Sequence, residues 1–360
     1  MNGSDLKVLI IKTSSLGDIV QAFGVIDFLK QVKVKHIDWV VEKEYEDIIS
    51  SHSSINKAIT FDFRSIKKRK FSFKDFFSSL KILRQEKYDL IIDLQGNCKS
   101  GFITFLAKGM DKLGFALKNV REWPNILATN VRYTIDKKEN IRVQYIRLIS
   151  NYFNTRFNYK KTPLLLKIKS NEREFINELL KDTKFEGKLK IMVCIGAKWP
   201  SKQLNKIKMG NFLYLLEKKY KASFIFVWGN TEEKDISSSI LSTYNLTGIV
   251  LKRKLSIAGW QNLINMMDLS VVMDSSSLHL CGMSASPSFS IFGPTSSKVF
   301  KPIGDEHFAF QGKCSLGIDF EKICPNLRTC KGHCMNDIKV EDLFLSFSSW
   351  WNHYIQTQKV

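Results

Sequence analysis

The sequence predicts an α/β protein built of two Rossmann-like domains facing a central cleft. Three observations carry that expectation. Short β-type apolar runs alternate with amphipathic stretches in both halves of the chain, a pattern that calls for parallel sheets covered by helices. Small polar turns follow several of those runs directly, at the carboxyl ends where doubly wound sheets bind ligands. The 360 residues also exceed what one hydrophobic core usually organises.

Taken in order, the run from Lys7 to Lys12 reads as a strand, Thr13 to Gly17 as a tight polar loop, and Asp18 to Leu29 as a helix. Further β-type runs stand at Ile37 to Val41, Ala58 to Phe61 and Leu90 to Leu94, with an amphipathic helix over Phe73 to Leu83. The polar stretch from Asn154 to Lys161 breaks the alternation, which sets domains over 1–165 and 166–337. A charged helix over Asn171 to Lys181 then leads into strands at Leu189 to Ile195, Phe224 to Trp228, Leu269 to Met273 and Phe289 to Phe292. Helices starting near Lys206, Thr231, Ser256 and Ser277 separate these strands. The last segment, 338–360, reads as an amphipathic helix carrying Trp350 and Trp351, expected to pack back across the first domain. No fixed-period repeat accompanies the two halves, so a solenoid is not supported.

A composition of 44% hydrophobic and 25% charged residues is that of a globular protein. The formal charge of +20 calls for a polyanionic partner: nucleic acid, anionic lipid headgroups or a phosphorylated glycolipid. Charge alone does not choose among them, and a lysine-rich background would produce the same excess. No apolar run approaches the roughly 18 residues that span a bilayer, and Val8 to Ile11 is too short for a signal-peptide core. A cytoplasmic protein is therefore expected, with its 7 cysteines reduced.

Three strand-end motifs carry chemistry. In Lys12-Thr13-Ser14-Ser15-Leu16-Gly17-Asp18, hydroxyls and free N–H groups can hold an anion or a sugar, and Asp18 is placed to act as a general base or simply to cap the helix. The loop is neither a Walker A sequence nor Gly-x-Gly-x-x-Gly, which weakens NTPase and NAD readings. Trp228-Gly229-Asn230 followed by Glu232-Glu233 sets a carboxylate at a helix start, suited to sugar or ribose hydroxyls and equally to the helix dipole. Asp274-Ser275-Ser276-Ser277-Leu278-His279, followed by Gly293-Pro294-Thr295, can cradle a diphosphate, with His279 one turn into the helix.

The basic run Arg64, Lys67, Lys68, Arg69, Lys70 is interleaved with Phe61, Phe63, Phe71 and Phe73, a mixture that suits an anionic membrane or a phosphorylated glycolipid, and also single-stranded nucleic acid or plain solvated surface. Cys314, Cys324, Cys330, His333 and Cys334 cluster near the carboxyl terminus without a Cys-x-x-Cys pair, which favours reduced structural thiols over a zinc site. No Asp-x-Asp occurs in the chain, so the usual carboxylate pair for a divalent cation is missing.

The opening Lys12 to Asp18 motif resembles that of the lipopolysaccharide heptosyltransferases, glycosyltransferase family 9, most nearly their heptosyltransferase I branch. Trp39 to Glu42, Tyr88 to Gly96 with Lys99-Ser100, and Arg121-Glu122 follow in the family's order, and the resemblance runs from about Lys7 to Phe292. It implies the GT-B architecture and inverting, metal-independent transfer of heptose from ADP-heptose to the Kdo region of lipid A, with no cofactor and no nucleic acid. Asp18 would be the base. Gly196, Lys202, Trp228, Glu233, Asp274, Ser275, Ser276 and His279 would hold the donor, with Lys198 a competitor for the phosphate role of Lys202. Thr13, Ser14, Arg64, Lys67, Gln95, Lys99 and Arg121 would hold the acceptor at the inner face of the inner membrane. Two departures stand out: Ser276 replaces the family's usual glycine, where a side chain would crowd the donor, and Leu204 replaces an aromatic. Alternatives are the second heptosyltransferase branch, a relative with another nucleotide sugar or acceptor, a nucleotide-sugar hydrolase or epimerase, and a non-enzymatic nucleic-acid-binding protein.

Overall fold

Strands buried on both faces read as nearly unbroken apolar runs, and Val8 to Ile11 and Leu269 to Met273 are fully buried along their length. The computed structural model describes residues 6–67, 72–156, 163–330 and 332–358, apart from the side chains of Ile66 and Lys67. The chain divides into a first unit, Met1–Thr162, and a second, Pro163–Val360.

In the first unit, β1 (Lys7–Ile11), β2 (His36–Glu42), β3 (Lys57–Phe61), β4 (Tyr88–Asp93), β5 (Gly109–Phe115) and β6 (Val131–Tyr133) form a sheet in the order β3-β2-β1-β4-β5-β6. In the second, β7 (Leu189–Cys194), β8 (Ala222–Phe226), β9 (Gly248–Val250), β10 (Leu269–Met273), β11 (Ser288–Phe292) and β12 (His307–Gln311) lie in the order β12-β11-β10-β7-β8-β9. Every pairing is parallel. Counted from its own first strand, each sheet has the doubly wound order 3-2-1-4-5-6. Two Rossmann-like units result.

Eight strands lie where the apolar runs place them; β5, β6, β9 and β12 were not expected. These stand towards the sheet margins, where many positions are only half-buried, so no continuous apolar run marks them. The helix expected over Asp18 to Leu29 is two helices, Leu16–Ala22 and Gly24–Gln31, meeting at Phe23.

The carboxyl-terminal helix, Val340–Gln358, packs within the second unit. Its apolar face enters the core of the second unit, where Phe347, fully buried, meets Phe212 at 5.9 Å and Phe289 at 5.2 Å between ring centroids. Trp350 packs on Phe308 of β12 and donates its indole N–H to the Asp305 carbonyl at 3.1 Å.

Candidate active site

In this strand order the first and fourth strands are neighbours whose connections leave in opposite directions, which opens a crevice at their carboxyl ends. In the first unit that crevice is bounded by the loops after β1 and β4, which hold Lys12 to Asp18 and Leu94 to Lys99. Ser15 precedes the helix Leu16–Ala22, and Asp18 stands at the helix's third position. The Asp18 Oδ2 accepts from the Ser15 amide at 3.0 Å and its hydroxyl at 2.9 Å, so the capping role is real. Oδ1 has no hydrogen bond among the described residues, and the side chain is only half-buried.

Behind Asp18 lies Lys12, 4% exposed, whose Nζ donates to the Leu94 carbonyl at 3.1 Å and stands 5.1 Å from the centre of the Tyr145 ring. Burial opposes the ammonium, yet Tyr145, Asp18 and Asp93 together raise its pKa above the ordinary lysine value. Burial likewise raises the Tyr145 phenol, against the pull of Lys12, and Asp18 and Arg121 act on the same hydroxyl. Asp18 and the expected acceptor residue Arg121 thus both act electrostatically on one buried tyrosine.

The second loop is held from below. Asp93, fully buried, accepts from the amides of Gln95 and Gly96 at 2.9 Å through Oδ1, and from Asn125 at 2.6 Å and Thr104 at 3.2 Å through Oδ2. Gly96 has φ +68°, a left-handed turn that glycine adopts without strain, and its carbonyl accepts from Arg121 and Glu122. Gln95 in turn accepts from the Ser14 amide at 3.3 Å, joining the two loops. Thr13 is buried, so of the two hydroxyl residues expected at the acceptor only Ser14 is partly open.

Lys99 is exposed over the Phe63 ring at 5.4 Å. Arg64 pairs with Glu44 and donates to the Tyr45 hydroxyl at 2.9 Å. Lys99 and Arg64 both act on Glu42, 4% exposed at the end of β2, whose pKa burial raises and those two cations temper. Lys67 closes the helix Arg64–Lys67, but its side chain lies outside the described residues, as do Lys68 to Phe71. The reading of interleaved surface aromatics needs correction: Phe61 and Phe63 are buried and stacked on each other at 5.7 Å, because they belong to the unit's core. Phe73 alone among the described members is open, at 71%.

In the second unit the equivalent crevice, between β7 and β10, is bounded by Ile195 to Lys202 and Asp274 to His279. Lys202 pairs with the 4% exposed Asp274 at 2.5 Å, and the Thr295 hydroxyl donates to the same carboxylate. Lys198, the competitor, is exposed and stands over Trp199 at 5.8 Å. Glu233 lies against Gly196 so closely that a Cβ there would meet its carboxylate at 2.2 Å and displace it. The same carboxylate accepts from the Gly229 amide at 2.6 Å and the Asn230 side chain at 3.0 Å. Trp228 donates its indole N–H to the Leu251 carbonyl at 2.7 Å, with Lys234 and Lys254 over its ring.

Ser275 and Ser277 share a hydroxyl hydrogen bond of 2.7 Å, and His279 is 7% exposed within the helix Ser276–Cys281. Ser276 opens that helix without a positive φ, so the backbone there does not demand the family's glycine. Leu204 is a core residue. Among the described residues no cluster of histidine, cysteine and carboxylate side chains is set to hold a metal, and Cys314, Cys324, Cys330 and Cys334 are free thiols. Sequence reasoning missed Tyr145 and Asn125, whereas Thr295 stood in the third strand-end motif. Asp93 lay inside a quoted motif, but nothing in the spacing says which donors will surround it.

Two parallel doubly wound units, each with a polar pair of loops at its own switch point, define an α/β protein with a candidate ligand crevice in each unit. The model of glycosyltransferase family 9 (heptosyltransferase) matches residues 76–329, and the chain belongs to that family: it is a glycosyltransferase. It is similar to lipopolysaccharide heptosyltransferase 1 of Campylobacter coli, with 28% identity over 350 residues, 94% of this chain and 97% of that one. Among solved structures, E. coli heptosyltransferase WaaC with ADP aligns with a TM-score of 0.77 at 19% identity, covering 96% of this chain and 100% of that chain. The same enzyme with ADP-2-deoxy-2-fluoro heptose aligns at 0.71 and 22% identity, covering 86% and 94%. These structural likenesses show a shared fold.

Proposed function

We propose that the chain transfers heptose, with inversion and without a metal, from ADP-L-glycero-D-manno-heptose to the Kdo region of lipid A during assembly of the lipopolysaccharide inner core. The observation that carries this reading is Asp18: a carboxylate at a switch point, with one oxygen fixed by Ser15 and the other without a hydrogen bond among the described residues. A base so held is oriented without being used up. It takes the proton of a Kdo hydroxyl as that oxygen bonds to the heptose anomeric carbon, while the bond to the diphosphate breaks and ADP leaves.

Lys202 and His279 neutralise the leaving diphosphate, a fixed electrostatic aid that supplies what a metal would otherwise give. Glu233, Trp228, Gly196, Asp274, Ser275 and Ser276 receive the sugar and nucleoside. Ser14, Gln95, Lys99, Arg64, Lys67 and Arg121, with the Thr13 backbone, receive the acidic acceptor. Lys202 would exchange its pairing with Asp274 for the donor phosphates, as charge-assisted bonds to phosphate permit. The name of the Campylobacter relative supports the acceptor class, and the ADP-bound titles of the E. coli structures support the donor.

Such an enzyme works in the cytoplasm at the inner face of the inner membrane, where its glycolipid acceptor is anchored. No helix among the described residues is long and apolar enough to cross a membrane. Purified protein incubated with ADP-heptose and Kdo-lipid A should yield ADP and a glycolipid heavier by one heptose, read by mass spectrometry. Release of free heptose without a heavier lipid would make it a hydrolase. Transfer only to an acceptor already carrying heptose would assign it to the second branch of the family.

A further inference from the structure

The two helices that follow the acceptor loops present an apolar face that the unit leaves uncovered. On Phe73–Leu83, Phe73 and Phe77 stand one turn apart, 71% and 61% exposed, followed along the same stripe by Lys81 and, just past the helix end, Arg84. On Cys98–Leu106, Lys99, Phe102 and Phe105 share the exposed side, the phenylalanines 49% and 68% open. The helices are neighbours: Phe76 stacks on Phe102 at 6.3 Å, and Arg84 donates to the Leu106 carbonyl at 2.8 Å. Met110, at the start of β5, adds another open apolar side chain at 68%.

Single exposed hydrophobics need no explanation, but four phenylalanines on two packed helices form a patch of the kind that marks an interaction site. Its borders are cationic: Lys74, Lys81, Arg84, Lys99 and Lys108 are all exposed, and Arg64, Lys67, Lys68, Arg69 and Lys70 immediately precede the first helix in sequence. On the two helices the acidic side chains reduce to Asp75. We infer that this face, Phe73, Phe77, Phe102 and Phe105 with its lysine and arginine border, docks the protein on an anionic lipid bilayer.

Charge selects the occupant. A second copy of a chain carrying +20 would bring like-charged borders together, whereas phosphate headgroups complement them and the rings enter the headgroup–acyl boundary. The helix bearing Phe102 and Phe105 also carries Lys99 in its first turn, so docking here brings the acceptor residues to the surface where a lipid-linked sugar is displayed. The inference rests on the proposed glycolipid acceptor for its purpose, but not for its test.

The test is sedimentation with vesicles rich in phosphatidylglycerol, against vesicles of phosphatidylcholine alone. Wild-type protein should bind the anionic vesicles and not the neutral ones. The double variant Phe77→Glu/Phe105→Glu changes two open positions and should keep its unfolding temperature while binding drops about tenfold or more. Its turnover with a lipid-free Kdo saccharide should match wild type. Unchanged vesicle binding by the variant, absence of anionic-vesicle binding by the wild type, or a wild-type dimer that the variant converts to monomer would each overturn the inference. Failure of the wild type to glycosylate both Kdo-lipid A and the lipid-free saccharide would strike the proposed function and leave the docking result standing.

Discussion

His52 shows how burial alone sets a residue's chemistry. It is 4% exposed, its ring meets Phe23 edge-on at 5.0 Å, and its Nδ1 accepts from the Ser54 amide at 3.1 Å. Burial, helped by Lys30, pushes its pKa down to about 4. A base whose folded pKa lies below its unfolded one gives stability that is present at neutral pH and is lost as pH falls from about 6.5 through about 4. The loss approaches roughly 3 kcal/mol at full protonation. Asp27 acts in the opposite sense: burial lifts its pKa to about 6, so its contribution is present in acid and fades as pH rises through that value. Urea unfolding of wild type and His52→Gln at neutral and mildly acidic pH separates the two, since both proteins keep Asp27. The variant should lose less stability on acidification than the wild type, and equal losses would refute the assignment. Neither pKa was legible in the sequence, because it depends on which residues close over the ring.

At the scale of elements, the carboxyl-terminal helix shows what periodicity can and cannot tell. Its amphipathic pattern marks a helix, but the partner of its apolar face depends on matching surfaces that no spacing encodes. Phe347 has zero exposure and touches Phe212, Tyr220, Phe289, Trp350 and Trp351. Phe347→Ala should therefore cost about 3–5 kcal/mol of unfolding free energy in the second unit, measured by chemical denaturation. A cost below about 1 kcal/mol would mean that the helix is not part of that core. The strands follow the same rule. Those nearest each sheet centre announce themselves as apolar runs, whereas the unexpected β5 pairs on one side only with the three-residue β6, and carries Lys112 and Asp111 within it. The strand-end motifs were legible because turn chemistry is local. Tyr145, which stands beside the first motif, comes from another segment and was not, and the Thr104 and Asn125 donors around Asp93 were not legible either.

At the scale of the whole molecule, two sheets with the same strand order each place a pair of loops at the first-to-fourth strand crevice, and the sequence motifs fall on those loops in both units. That coincidence ties the fold to the chemistry. The first crevice holds the Asp18 carboxylate and the second a lysine, a histidine and hydroxyls, which the proposed function assigns to an acidic acceptor and to a diphosphate respectively. The claim on which the account turns is that Asp18 removes the acceptor proton. The most direct measurement is the turnover of Asp18→Asn with ADP-heptose and Kdo-lipid A, since the amide keeps an oxygen for the Ser15 cap and loses only its basicity. The account predicts a kcat lower by about 10²–10⁴ with donor KM and unfolding temperature near wild type. Wild-type turnover by that variant would contradict it.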